Sequence, residues 1–306
     1  MVSALIADLF ESHRAHLLSV AYRLTGSVGD AEDAVQESWL RLAGTHQSEI
    51  DDLRVWLTTT VSRICLDHLR TAATRRETYV GQWLPEPIVT GVAPSSRPDS
   101  LESVVRGEEY RMAVMVALET LTPPQRVALV LHDGAAVPFE EIADVLGVSA
   151  DDASQLAVQA REAVAGVPTA VSDVEHEAAV RRLLVALATD EVDAVATALH
   201  PDAVLIGDAN GTTSTVVKIV GGAERIARFM LELVRKHGIG YSEQAATRYE
   251  FATVNGQLGL VMNLDSETEE QDWHPARVVG FTVRDGLIWG TYDHANPAKL
   301  TGVRLS

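Results

Sequence analysis

Four arginines, Arg63, Arg70, Arg75 and Arg76, stand close together in the chain with only Asp67 opposing them. Guanidinium groups at that density suit phosphate, which they hold through charge-assisted hydrogen bonds. Upstream, Asp30, Asp33 and Glu37 recur at helical spacing. That spacing puts three carboxylates on one face, ready for a basic partner. A third set, Asp208, Tyr292, Asp293 and His294, has the residue types for acid–base chemistry, but no spacing that pairs them. The ten histidines show no HExxH or other metal spacing. The single cysteine, Cys65, excludes an intrachain disulfide framework or a cysteine-rich zinc site. It lies among apolar residues and reads as a packed thiol. No metal, cofactor or catalytic residue is expected.

The 306 residues carry 25 Lys and Arg against 43 Asp and Glu, a net charge of −18. An acidic surface repels phosphate, which argues against general nucleic-acid affinity, and the basic strip on it suggests contact confined to one place. With 46% hydrophobic residues the chain is globular, and its length suggests about two domains. The opening MVSALIADLF lacks the basic and long apolar parts of a signal peptide. No stretch approaches the length of a membrane span, and the expected location is the cytoplasm.

The elements that must hold these residues are legible in outline. Residues 4–79 read as helical. Ser27 offers an N-cap with Asp30 three residues on. Ala31, Ala34, Val35, Ser38 and Leu42 then share one face, and Leu53, Leu57, Val61, Ile64 and His68 another. From Gly81 to Ser100 the periodicity stops, and Pro85, Pro87, Pro94 and Pro98 mark a linker. Its Trp83-Leu84-Pro85-Glu86-Pro87 is too apolar for free solution and is expected to dock. Thr122-Pro123 starts a helix that Asp133-Gly134 stops. Pro138 starts the next, which ends at Gly147, and Ser149 caps a last one carrying Leu156, Ala160 and Ala163. That pair has the shape of a helix-turn-helix.

After about Pro168 the pattern changes to a helix over 174–188, a His200-Pro201-Asp202 turn, and one further helix over 223–236. Strand-like runs lie at 215–220, 247–254, 257–262, 276–284 and 287–292. Asn255-Gly256 and Asp285-Gly286 are hairpin turns between them. No internal repeat is visible.

Three segments in this order, Ala21–Leu42, Arg54–Arg70 and Phe139–Ser149, resemble extracytoplasmic-function sigma factors, specifically the group with a C-terminal SnoaL-like domain. The resemblance implies two all-α domains that bind DNA and polymerase, the second with a helix-turn-helix, followed by an α+β SnoaL/NTF2-like cone. The boundaries are 1–80, a linker at 81–100, 101–166 and 167–306. It implies core RNA polymerase as partner for Asp30, Asp33, Gln36, Glu37 and Trp39. Promoter DNA would meet Arg54, Arg63, Arg70, Arg75 and Arg76 near the minus-ten element, and Ser154, Gln155, Gln159 and Arg161 upstream. Regulatory contacts would join Trp83, Leu84, Pro85, Glu86 and Pro87 of the linker to Asp208, Gly211, Asn296, Pro297, Lys299 and Leu300.

Two departures stand out. The group's glycine-rich loop ending in a basic residue reads Asp208-Ala209-Asn210-Gly211-Thr212 here. The recognition helix opens with Ala150-Asp151-Asp152, where a capping role outweighs contact with a cytosine amino group. The reading is a sigma factor without chemistry of its own, with no separate anti-sigma factor required and a small-molecule ligand possible in the cone. Two other readings are a ligand-sensing DNA-binding regulator and an enzyme with a cyclase- or isomerase-like tail. The acidic helix separates the first reading from a plain repressor.

Overall fold

The computed structural model describes residues 2–46, 50–76, 79–91, 107–212, 215–237, 239–240, 247–262, 276–301 and 303. The chain falls into two compact units. The first comprises Met1–Thr78, Pro98–Tyr110 and Val114–Val167, and the second Tyr79–Arg97, Arg111–Ala113 and Pro168–Ser306. Residues 81–97 of the expected linker are thus counted with the tail.

The first unit is helical. Helices α1 (Val2–Thr25), α2 (Val28–Gly44) and α3 (Leu53–Arg76) pack on one another. Ser27 caps α2, accepting from the Asp30 amide at 3.3 Å, and Ala31, Ala34, Val35, Ser38 and Leu42 are its buried face. In α3 the residues Leu57, Val61 and Ile64 are buried, as is Cys65. Burial pushes the Cys65 thiol up, so it stays a packed, protonated group.

Helix α4 (Met112–Leu118) leads to α5 (Pro123–Leu129), whose last turn widens into a π-turn over Val130–Gly134. Helix α6 (Phe139–Leu146) ends at Gly147, whose φ of 72° makes glycine the favoured residue there. Helix α7 (Ala150–Val164) is capped by Ser149, which accepts from the Asp152 amide at 3.1 Å and donates to the Asp152 carboxylate at 2.7 Å. Ser149 is therefore the cap, and the Asp152 carboxylate holds its hydroxyl.

Within this unit α3 packs against α5 and α6. The Arg126 guanidinium, 2% exposed, donates to the Leu24 carbonyl at 2.8 Å and to Glu119 at 2.9 Å. Arg23 is buried against Gly134, where a Cβ would meet its guanidinium at 1.9 Å. A larger residue there would have to displace the end of the Arg23 side chain.

The second unit is α+β. Helices α8 (Asp173–Ala188) and α9 (Val192–Ala198) precede strand β2 (Leu199–Asp208), and α10 (Ala223–His237) follows the short β3 (Val220–Gly221). Then come β4 (Ile239–Gly240), β5 (Thr247–Val254), β6 (Gln257–Met262), β7 (Arg277–Arg284) and β8 (Leu287–His294). With β1 (Val89–Thr90) they form one sheet in the order β1-β5-β6-β7-β8-β2-β3, with β4 also paired to β5. Pairing is antiparallel except β2 with β8 and β4 with β5. Leu183, Val195, Ile226, Leu231, Leu260 and Phe281 belong to the core that joins the three helices to one sheet face.

The Asn255-Gly256 and Asp285-Gly286 hairpins have positive φ at both positions, as a type I′ turn requires. Two sequence readings are corrected. Residues 215–220 are not a strand, since only Val220 enters β3. The His200-Pro201-Asp202 segment lies inside β2, where the register against β8 shifts between Leu199 and Val204. An irregular stretch is where a strand tolerates proline.

Candidate functional site

On α2 the Asp33 and Gln36 side chains are exposed, while Asp30, Glu37 and Trp39 are half-buried. Glu37 is not free on that face, because it pairs with Arg41 one turn on. Trp39 packs on Phe10 of α1 with ring centroids 5.1 Å apart. A groove of about 340 Å³ runs between α1 and α2, and Gln36 and Trp39 line it with Phe10, Arg14 and Val35. The α2 face therefore offers acids beside an aromatic-walled groove.

On α3 the Arg54, Arg63 and Arg70 side chains are exposed. Arg63 reaches the Asp144 carbonyl of α6 at 3.4 Å, and Arg70 pairs loosely with Asp67 at 3.4 Å. Such exposed contacts are worth little. Arg75 and Arg76 close the helix, and their side chains lie outside the described set. On α7 Gln155 and Gln159 are exposed and Ser154 half-buried. Gln159 accepts from Gln125 at 3.3 Å. Arg161 is held by Asp133 through two bonds, 2.8 and 2.6 Å. That bond to Arg161 holds the Asp133 carboxyl below its ordinary range.

In the second unit the linker and tail residues come together. Asp208, fully buried at the end of β2, accepts from the Leu84 amide at 2.8 Å, from Lys299 Nζ at 2.7 Å and from the Tyr79 hydroxyl. Lys299 also donates to the Leu84 carbonyl and lies 3.3 Å from the centre of the Trp83 ring. Asn296 donates to the Tyr79 hydroxyl at 2.8 Å and caps the turn Pro297–Lys299.

Proline positions around Leu84 fix a conformation in which its amide and carbonyl meet an acid and a cation. Leu84, Pro85, Pro87 and Leu300 are buried, Glu86 is half-buried and Pro297 is exposed. Gly211, at φ 71°, lies so near Val80 that a Cβ would meet it at 3.2 Å.

Two members of this clasp carry no signal in the spacing. Tyr79 reads as the end of a helix, yet its hydroxyl bridges Asp208 and Asn296. Asn255 reads only as a turn, yet its side chain accepts from the Ile88 amide at 2.9 Å and its amide donates to the Ile88 carbonyl at 2.8 Å. Those bonds start β1 on the edge of β5.

The four residues Asp208, Tyr292, Asp293 and His294 do not converge. One extra residue, Trp289, bulges β8 between Ile288 and Gly290, since Val283 pairs with Ile288 and Thr282 with Gly290. The bulge resets the alternation. Thr291 and Asp293 then face the helix side, where both line a cavity. Tyr292 and His294 face the other way. Burial pushes the Tyr292 hydroxyl up to about 12, and burial with the Lys299 charge holds His294 down at about 3. Both are neutral bystanders at physiological pH. Among the described residues no group of acids, histidines and cysteine could hold a metal, and no helix is long and apolar enough to cross a membrane.

Residues 9–75 match the family model of Sigma-70 region 2, and residues 111–164 that of Sigma-70 region 4. The chain is 48% identical to the ECF RNA polymerase sigma factor SigJ of Mycobacterium tuberculosis, over 97% of this chain and 93% of that one. It is 33% identical to the probable ECF sigma factor SigI of the same species over 74% and 76% of the two chains. The crystal structure of M. tuberculosis SigJ aligns with a TM-score of 0.79 at 45% identity, covering 98% of this chain and all of that one. Helical regions matching both sigma models, an α+β tail behind them and a relative alike from end to end agree: the chain belongs to the extracytoplasmic-function RNA polymerase sigma factors.

Proposed function

We propose that this sigma factor docks on core RNA polymerase through α2 and is regulated in cis by its SnoaL-like tail, without catalysis and without needing a separate anti-sigma subunit. Asp30, Asp33, Gln36, Glu37 and Trp39 meet a basic surface of the polymerase. Arg54, Arg63, Arg70, Arg75 and Arg76 hold promoter phosphates near the minus-ten element. Ser154, Gln155 and Gln159 read the upstream element, with Arg161 freed from Asp133 to reach its backbone. Residues 1–80 and 101–166 act as the two promoter modules, in a chain that works in the cytoplasm.

The observation that carries the regulatory part is the Asp208–Lys299–Leu84 clasp, which makes the segment between the modules a structural part of the tail. A proline-fixed segment loses little entropy on docking. A tail that grips it biases an equilibrium between resting and promoter-ready forms.

Two measurements test the proposal. Core-polymerase affinity of an Asp33→Ala/Glu37→Ala chain should fall by at least about tenfold, since truncating one side of a buried interfacial charge pair costs about 2–5 kcal/mol. Unchanged affinity removes α2 from the interface. Promoter-specific transcription by a Lys299→Met chain, and by one ending before Asn296, should differ from the intact protein at equal folded concentration. Identical transcripts from all three remove the cis regulation.

A further inference from the structure

The tail encloses a cavity of about 280 Å³ between α8, α10 and the inner sheet face. Its size falls just below the roughly 300–1,000 Å³ of small-molecule pockets, which suits a small ligand. Leu183, Leu187, Phe229, Leu233, Met262 and Phe281 make most of the wall. At one end Arg277 of β7 and Asp293 of β8 are paired through Asp293 Oδ2, which also accepts from the Thr215 hydroxyl at 2.6 Å. Asp293 is 8% exposed, and its second oxygen, Oδ1, is buried without a hydrogen-bond partner. An acceptor left in that state at the end of an apolar chamber is a feature that a folded protein rarely retains without a use.

We propose that this cavity binds a neutral, mostly apolar molecule bearing a hydroxyl group, which donates to Asp293 Oδ1. The wall demands an apolar body. The polar end is an ion pair whose charges already cancel, so a charged ligand would leave an uncompensated charge buried. Burial pushes the Asp293 carboxyl up and the Arg277 guanidinium opposes that; ionised in this pair and with Oδ2 occupied twice, it offers Oδ1 as an acceptor, so the ligand must bring the donor. The bulge at Trp289 is what turns Asp293 toward the chamber. The site is independent of how the chain meets polymerase or DNA.

The test uses the full chain and two probes, 1-naphthol and naphthalene, which differ by the hydroxyl alone. Binding is followed by probe fluorescence. The intact protein should bind 1-naphthol saturably and about ten- to a hundredfold more tightly than naphthalene, the ratio expected for a hydrogen bond to a charged acceptor. Arg277→Met/Asp293→Leu keeps the volume and removes the polar end, so the preference for the hydroxyl should vanish while naphthalene still binds. Met230→Trp, on the half-buried part of the wall, fills the chamber and should abolish both, which keeps the test open if the double variant does not fold. Equal affinity of the two probes for the intact protein, no saturable binding of either, or binding unaffected by Met230→Trp would each overturn the proposal.

Discussion

Arg126 in the helical unit and Lys299 in the tail are both cations withdrawn from water, and each is held by one carboxylate and one backbone carbonyl. Arg126 has Glu119 and the Leu24 carbonyl, and Lys299 has Asp208 and the Leu84 carbonyl. The resemblance stops there. Glu119 is seven residues from Arg126, so their pair is local and only the Leu24 bond, 102 residues away, ties remote chain. Asp208 is 91 residues from Lys299 and also receives the Tyr79 hydroxyl and the Leu84 amide. Arg126 Nε, moreover, is buried with no partner. The tie in the helical unit is the less completely satisfied, and so the easier to open. The tie in the tail is built to stay shut.

Breaking each tie sharpens that contrast. Asp208→Ala removes the carboxylate that accepts from the Lys299 ammonium, the Leu84 amide and the Tyr79 hydroxyl. The expected cost is about 3–5 kcal/mol, as for other buried pairs deprived of one partner. Urea unfolding of the full chain, followed by circular dichroism, measures it. Arg126→Met should cost less, about 2–3 kcal/mol, the range for hydrogen bonds to a charged group. Adding Glu119→Leu should recover much of that loss, because an apolar pair replaces a partly satisfied ionic one. If Arg126→Met proves the more damaging, the ranking of the two ties is reversed.

Acid should weaken the protein through the tail. His294 is fully buried with neither ring nitrogen partnered, and burial and then Lys299 hold its pKa at about 3. The unfolded chain takes up that proton at the ordinary 6.5 and the folded chain does not. The His294 contribution is therefore intact above pH 6.5 and declines as pH falls toward 3, with about 2 kcal/mol lost by pH 5. A His294→Asn chain should show a correspondingly flatter decline between pH 7 and 5. The smallest effect belongs to the linker edge. Asn255→Gly keeps the turn but loses the bond to the Ile88 amide, a cost of about 1 kcal/mol in the same unfolding measurement.

The residues that spacing revealed are those whose surroundings repeat. The α2 and α3 faces follow the helical period, so their buried and exposed residues separate by pattern alone. The caps at Ser27 and Ser149 and the two Asn-Gly and Asp-Gly hairpins are equally visible, because each needs a particular residue at one backbone position. The clasp is different. Asp208 and Lys299 stand out by likeness to a family and not by any local rule, since their partners are more than a hundred residues away at Leu84. Strand β1 is two residues long, too short for alternation to register. Arg277 carries no signal in the spacing, because β7 has an arginine at each end and only the structure shows that Arg277 is buried and Arg284 exposed. The bulge at Trp289 has no signature either. It decides that Asp293 and not His294 meets the chamber.

The Lys299–Leu84 bond has a consequence in time. The two residues are 215 positions apart, and a ribosome adding about 5–20 residues per second needs roughly 10–40 s to make the second after the first. Through that interval the Trp83-Leu84-Pro85 segment lacks Lys299, and for more than half of it also the acid at 208 and the strand edge that β1 joins. A nascent chain therefore completes its first three helices well before the segment that follows them can take its final place. Translation speed over the last two-thirds of the message sets how long that exposed interval lasts.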